Sequence, residues 1–344
     1  MIRTLLLCLL VIAGGSPAFA AHGETPLFAS NDVIHVTIAG PIQSLARSRT
    51  TDAKPGTLTV AASGQALPVA LAVRSTTRRQ SDVCQFPPLK VQFTAPPPPN
   101  SLFAGQKSLK LVTHCRSSEA FQQYVLLEYA TYRMLNVVSP ASFRVRLASI
   151  DYVNDDGRPV TSRYGFFIED LRDVAKRNGM QQADLPDLIP IASLEPKHAA
   201  LYAMFQHMIA NHDWSMRAGP KGKKCCHNAE MIAPARGVAA GVIPIPYDFD
   251  FSGLVDTPYA TPPDALHISS VRQRQYRGYC SQNGEALAVA AQFRAERPQM
   301  LAVHASTPGL DPKTIQRATD YLNGFFNDIS TDQSVQSKVL KTCL

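Results

Sequence analysis

Residues Val242 to Ala260, VIPIPYDFDFSGLVDTPYA, set an apolar, strand-like run directly before two aspartates, Asp248 and Asp250. Alternating positions on a strand face the same side, so the two carboxylates belong on one face. Like charges that close repel each other unless a cation or a basic group lies between them. Any fold of this chain must therefore deliver a positive partner to this point.

The chain opens MIRTLLLCLLVIAGGSPAFAAHG. One arginine, an apolar run from Leu5 to Ala13 and the triplet Ala18-Phe19-Ala20 read as a secretory signal peptide. The run is too short to span a bilayer, and no later segment approaches a membrane span. Cleavage after Ala20 would leave 324 residues. The expectation is an exported protein, periplasmic or secreted. Removing the signal takes Cys8 and leaves six cysteines: Cys84, Cys115, Cys225, Cys226, Cys280 and Cys343. An even number in an exported chain favours disulfides, although about fifteen pairings are open to six cysteines. We expect Cys84 to pair with Cys115, because they flank a hairpin, and the other four to pair within the C-terminal half. The cluster CCHN suggests zinc, but adjacent cysteines ligate one ion awkwardly.

The formal charge of +7 is modest for 344 residues. Basic residues gather in RSTTRRQ (Arg74 to Gln80) and RAGPKGKK (Arg217 to Lys224). Each reads as a solvated loop or, more sharply, as an anion contact. Neither carries interleaved aromatics, which argues against a nucleic-acid partner.

From 32 to 115 the chain is β-rich. DVIHVTIAG, GTLTVAAS, ALPVALAVRS, PPLKVQFT and KSLKLVTHC alternate or favour β-branched residues. APPPPNS between the last two must be an exposed extended loop, since prolines cannot join a ladder. SSEAFQQYVLLEYATYRML predicts a helix capped by Ser117 or Ser118, and SFRVRLASIDYV and RYGFFIED predict two strands. Beyond Leu171 helices dominate. EPKHAALYAMFQHMIAN puts Leu201, Met204, Phe205, Met208 and His212 on one face, and a later helix starts at Asp311-Pro312. This order predicts an α+β chain: a signal peptide (1–20), a β-rich N-terminal lobe (21–170) and a mainly helical C-terminal lobe (171–344), with a ligand cleft between the lobes.

The helix from Pro196 ends in ANHDWSM, and the basic stretch, CCHN and then PYDFD follow. Asp213, Asn228, Asp248 and Asp250 thus fall in one folding unit. Their oxygens are hard ligands suited to magnesium or manganese. Such groups around a divalent ion, with a nearby aspartate left to accept a proton, are what phosphoryl transfer requires. A shared metal is one answer to the paired aspartates.

These motifs resemble those of the spore-coat protein H (CotH) kinase-like family of atypical kinases. Asn211-His212-Asp213 takes the place of that family's N-x-D motif, Asn228 that of its amide ligand, and Tyr247-Asp248-Phe249-Asp250 that of its second acidic motif. The resemblance implies a two-lobed atypical protein-kinase-like fold, with ATP as phosphoryl donor and Mg2+ or Mn2+ as cofactor. It implies Asp213 as the catalytic residue, Asn228, Asp248 and Asp250 at the metal, and Lys110, Glu128 and Arg78 at the nucleotide. Lys110 would pair with Glu128; Lys107 and Lys90 are rivals for its role. Two departures stand out. Asp213 and Asn228 are fifteen positions apart where kinases place them about five apart. No glycine-rich phosphate loop is present.

The leading expectation is therefore an exported metal-dependent phosphotransferase acting on a protein or small-molecule hydroxyl. A catalytically inactive, pseudokinase-like binding or structural protein of the cell envelope is the alternative. A metal-dependent phosphoesterase is the third, weakened by the lack of tightly spaced histidine ligands. His207 and His212 read as packing histidines, and Trp214 as a wedge that holds its loop.

Overall fold

The computed structural model describes residues 25–238 and 240–344, so the expected signal peptide and Cys8 lie outside the described residues. Seven strands form a closed barrel: β1 (Ile34–Gly40), β2 (Lys54–Val60), β3 (Gln65–Val73), β4 (Leu89–Phe93), β5 (Ser108–Val112), β6 (Val145–Asn154) and β7 (Pro159–Ile168). Their order around the barrel is β1-β2-β3-β4-β5-β7-β6. Every pair is antiparallel except β1 with β6, which runs parallel from Ile34 opposite Ala148 to Gly40 opposite Asn154. Alternation puts Val36, Ile38, Leu71, Val91, Leu111 and Phe167 inside, all nearly inaccessible to solvent. Gly165 on β7 lies under the Val112 carbonyl, where a Cβ would come to 2.6 Å. Only glycine allows that approach.

One helix within this region escaped the pattern. Residues 42–48 form α1 (Ile42–Ser48), which buries only Ile42 and Leu45 and carries too few residues for a helical period to register. The 20-residue α2 (Glu119–Val138) follows β5; Ser118 stands at its N-cap position but makes no side-chain cap. After β7 come α3 (Leu171–Arg177), the two-residue strand β8 (Gln181–Gln182) and α4 (Pro196–Ile209). The strands β9 (Ala229–Ala233) and β10 (Ile243–Pro246) pair with each other, and β8 adds to β9. Helices α5 (Asn283–Ala305) and α6 (Pro312–Asp328) close the chain, apart from short turns of helix at its end. Asp311 caps α6 as expected, its carboxylate accepting from Thr314 N–H at 2.7 Å.

This architecture corrects the expected fold. It is a closed seven-stranded mixed barrel with seven helices among the described residues, not a two-lobed kinase-like fold with a β-rich N-lobe and a helical C-lobe. Two physical causes account for the difference. β1 and β6 pair across more than a hundred residues, which turns a sheet into a barrel. And α2 is buried on almost every side, so Leu126, Leu127, Tyr132, Met134 and Leu135 join one continuous core with α4, α5 and α6. A helix packed between the barrel strands β6 and β7 and the helix α5 cannot lie on the surface of one lobe.

The six cysteines bond as Cys84–Cys115, Cys225–Cys226 and Cys280–Cys343. The first pair is the expected one, and the other four do bond within the C-terminal half. No helix among the described residues is long and apolar enough to cross a membrane. Thiol labelling under denaturing, non-reducing conditions, followed by peptide mapping, should find no label at these six positions. Label at two or more of them would remove the three-bridge arrangement.

Candidate active site

The partner demanded by the paired aspartates is Arg78, from the basic loop after β3. Its guanidinium reaches Asp248 Oδ1 at 2.8 Å, Asp250 Oδ2 at 3.3 Å and Glu128 Oε2 at 3.3 Å. The side chains of Arg78, Glu128 and Asp250 are at most 5 % exposed, whereas that of Asp248 is 38 % exposed, so Asp248 is the member of the cluster that solvent reaches. Local structure aims the arginine. Ser75, at φ 82°, turns the chain and its hydroxyl accepts from Arg78 N–H at 3.1 Å. Arg49 donates to the Arg79 and Cys84 carbonyls and pins the loop from below.

The acidic side is built as firmly. Glu128 and Tyr132 stand one turn apart on α2 and so share a face. The Tyr132 hydroxyl accepts the Asp248 N–H at 2.8 Å, which holds Asp248 in its left-handed conformation at φ 63°. Phe249, between the aspartates, is fully buried against Tyr132 and Phe205. Tyr259 donates to Asp250 Oδ2 at 3.0 Å. Burial pushes the Glu128 carboxyl up to about 8 and that of Asp250 up to about 6, against the pull of Arg78 on both. Burial works against the Arg78 charge too, but Asp250 and Glu128 outweigh it and keep the guanidinium protonated.

A second group forms where α4 ends. Ala210 leaves the helix in the left-handed region, and Trp214 wedges the exit, its indole N–H bonded to the Asn211 carbonyl and its ring against Tyr202. Asp213 Oδ1 receives His227 Nε2 at 2.7 Å, and Oδ2 receives Asn228 Nδ2 at 3.0 Å. The fifteen-residue separation is closed by an antiparallel bridge of Ser215 with His227. The disulfide inside this segment joins neighbours and does not close it. The β9–β10 register then brings this group to the first. Ala229 pairs with Pro246, so Asn228 and Tyr247 follow across the ladder, and the Asn228 carbonyl accepts from Tyr247 N–H.

Of the residues singled out from sequence, Arg78, Glu128, Asp248 and Asp250 meet in one cluster, and Asp213 and Asn228 meet in the adjoining one. The expected Lys110–Glu128 pair does not form. Arg78 takes Glu128, and Lys110 instead lies 3.7 Å from Glu230 with its ammonium 5.0 Å from the Tyr247 ring centroid. Burial lowers the Lys110 pKa, with Glu230 opposing. Lys90 and Lys107 flank the proline loop. Asn228 spends its amide N–H on Asp213, which makes it a support of that carboxylate. His207 and His212 are buried, and burial drives His207 down to about 3. The residues that sequence reasoning missed are His227, Glu230, Tyr132 and Tyr259. Tyr132 carried a signal in its i+4 spacing from Glu128, and His227 one in its place beside Asn228.

The three carboxylates can each offer an oxygen within 4.8 Å of the others. Arg78 engages one oxygen of each, and Glu128 Oε1 is buried with no hydrogen-bond partner. With all three ionised and Arg78 protonated the cluster is left with two negative charges, which suits one divalent ion on hard oxygen donors. Neither a model of a known protein family nor any curated protein matches this chain.

Proposed function

We propose that this protein is an exported, metal-dependent phosphotransferase acting on a hydroxyl, with Glu128, Asp248 and Asp250 holding magnesium or manganese. The observation that carries the reading is the orphaned Glu128 Oε1 inside a three-carboxylate cluster, next to a carboxylate, Asp213, held from both of its oxygens. A bound divalent ion would neutralise charge on the phosphates of a donor such as ATP. Asp213 orients the acceptor hydroxyl and takes its proton. Lys110, half-buried beside Tyr247, meets the donor's phosphates, and Arg78 fixes the carboxylates from behind. The CotH-like motifs point to the same division between Asp213 and Asp248, although the closed barrel is not the fold that resemblance implies.

Arg78 also favours a second reading. A cluster that already owns a cation, and whose buried Glu128 holds a proton up to about 8, can stand without a metal, as in a protein that binds or builds without catalysing. Thermal unfolding separates the two. Millimolar manganese or magnesium should raise the melting temperature, more so with a nucleoside triphosphate, by the linkage of ligand binding to stability. The shift should grow between pH 6 and pH 8, because an ion on Glu128 displaces the proton that burial holds there up to about 8. No metal-dependent shift at either pH would leave Arg78 as the only cation of the cluster and favour the binding reading.

A further inference from the structure

We infer that His227 is a positioning residue for Asp213, holding its carboxylate in the one orientation that presents it to the acceptor. The inference rests on the phosphotransfer reading and adds a residue to it.

The geometry is specific. His227 Nε2 lies 2.7 Å from Asp213 Oδ1, while Asn228 Nδ2 lies 3.0 Å from Oδ2 and 2.6 Å from the Asp213 carbonyl. Two neighbouring residues thus grip both oxygens, and a carboxylate gripped at both ends cannot rotate about its last bond. Neither grip is loose. Ser215 N–H donates to the His227 carbonyl at 2.9 Å and His227 N–H donates back at 3.1 Å, so the imidazole hangs from a paired backbone. Asp213 N–H is itself tied to Asn211 Oδ1 at 3.1 Å. Yet the Asp213 and His227 side chains are 41 % and 35 % exposed, so the assembly is open to solvent and not sealed in the core. A half-exposed aspartate with no such grip samples several rotamers, and misplacement of a reacting group by about 1 Å can cost about a hundredfold. The groups that act on the imidazole are Asp213 on the α4 exit, Asp248 after β10 and Lys223 on the basic loop.

The role depends on the N–H donor, so the side chain that replaces it decides the test. His227→Ala should lower kcat for phosphoryl transfer by about tenfold to a hundredfold with KM for donor and acceptor nearly unchanged. His227→Gln, which returns an N–H near the same place, should recover most of that loss. If His227→Gln is as slow as His227→Ala, the ring has a part in the chemistry that positioning does not explain, and the inference falls. Nitrogen-15 spectra of the full chain give a readout that needs no turnover. The wild-type spectrum should show a hydrogen-bonded Nε2 proton that disappears in Asp213→Ala; its absence from the wild type would overturn the inference. A wild type that shows this proton and transfers no phosphate upholds the His227–Asp213 contact and overturns the phosphotransfer reading alone.

Discussion

Arg78→Met should destabilise the protein by about 3–5 kcal/mol at pH 8, the loss typical of removing one partner from a buried ion pair. The methionine keeps much of the volume and the stem, so the missing charge is what the measurement reads. Three carboxylates would then face one another with no cation, two of them buried. The effect should depend on pH with a definite sign. In the folded protein the carboxyls of Glu128 and Asp250 lie above their ordinary values, moved from 4.5 to about 8 and from 3.8 to about 6. The folded state therefore binds more protons than the unfolded chain across that window. Its stability from these groups is greatest at the acid end and is lost as pH rises through their folded values. At pH 5 both already hold a proton, and Arg78→Met removes mainly the contact with Asp248, about 2 kcal/mol or less. Urea unfolding of both proteins at pH 5 and pH 8 measures the difference. Equal losses at the two values would show that Arg78 is not the counter-charge of the buried pair.

Asp213→Asn should reduce phosphoryl transfer by about 10²–10⁴-fold, the range general-base removal commands. The asparagine keeps the shape and an oxygen that accepts from His227, so folding should be intact. Because the base acts only as the proton moves, binding of metal and nucleoside triphosphate should change little, and the loss should appear in kcat. Asp248→Asn should behave differently. It removes the accessible carboxylate of the cluster and should abolish the metal-dependent rise in melting temperature along with turnover. Transfer of labelled phosphate to a panel of hydroxyl acceptors, with the thermal shift run alongside, distinguishes the two. Asp213→Asn turning over within a few fold of wild type would remove it from the chemistry. Equal loss of nucleotide binding in both variants would make Asp213 a ligand.

How far the sequence was legible follows from the range of each interaction. Strands such as β1 and β4 announce themselves because alternation is local: five to seven residues carry the whole signal. The Asp311 cap and the start of α4 at Pro196 were legible for the same reason. The parallel pairing of Ile34 with Ala148 was not, since nothing within either strand specifies a partner so far along the chain. The candidate site divides along the same line. Asp248 and Asp250 declared a need for a cation within three residues, whereas Glu128 was named only through the resemblance. That Arg78, 170 residues from Asp248, meets the need, and that Lys110 turns to Glu230, depends on how the barrel closes against β9 and β10.

The cysteines carry a consequence for the making of the protein. Cys84 bonds Cys115, Cys225 bonds Cys226 and Cys280 bonds Cys343, each with the next one along the chain, with no pair nested inside or crossing another. Of the roughly fifteen ways to join six cysteines, only this one is strictly consecutive. For a chain delivered N-terminus first, whether from the ribosome or through a translocation pore, each odd-numbered cysteine of the six meets its proper mate before any competitor among the six has emerged. Vectorial delivery alone then sorts the bridges, a task that interleaved patterns leave to an isomerase.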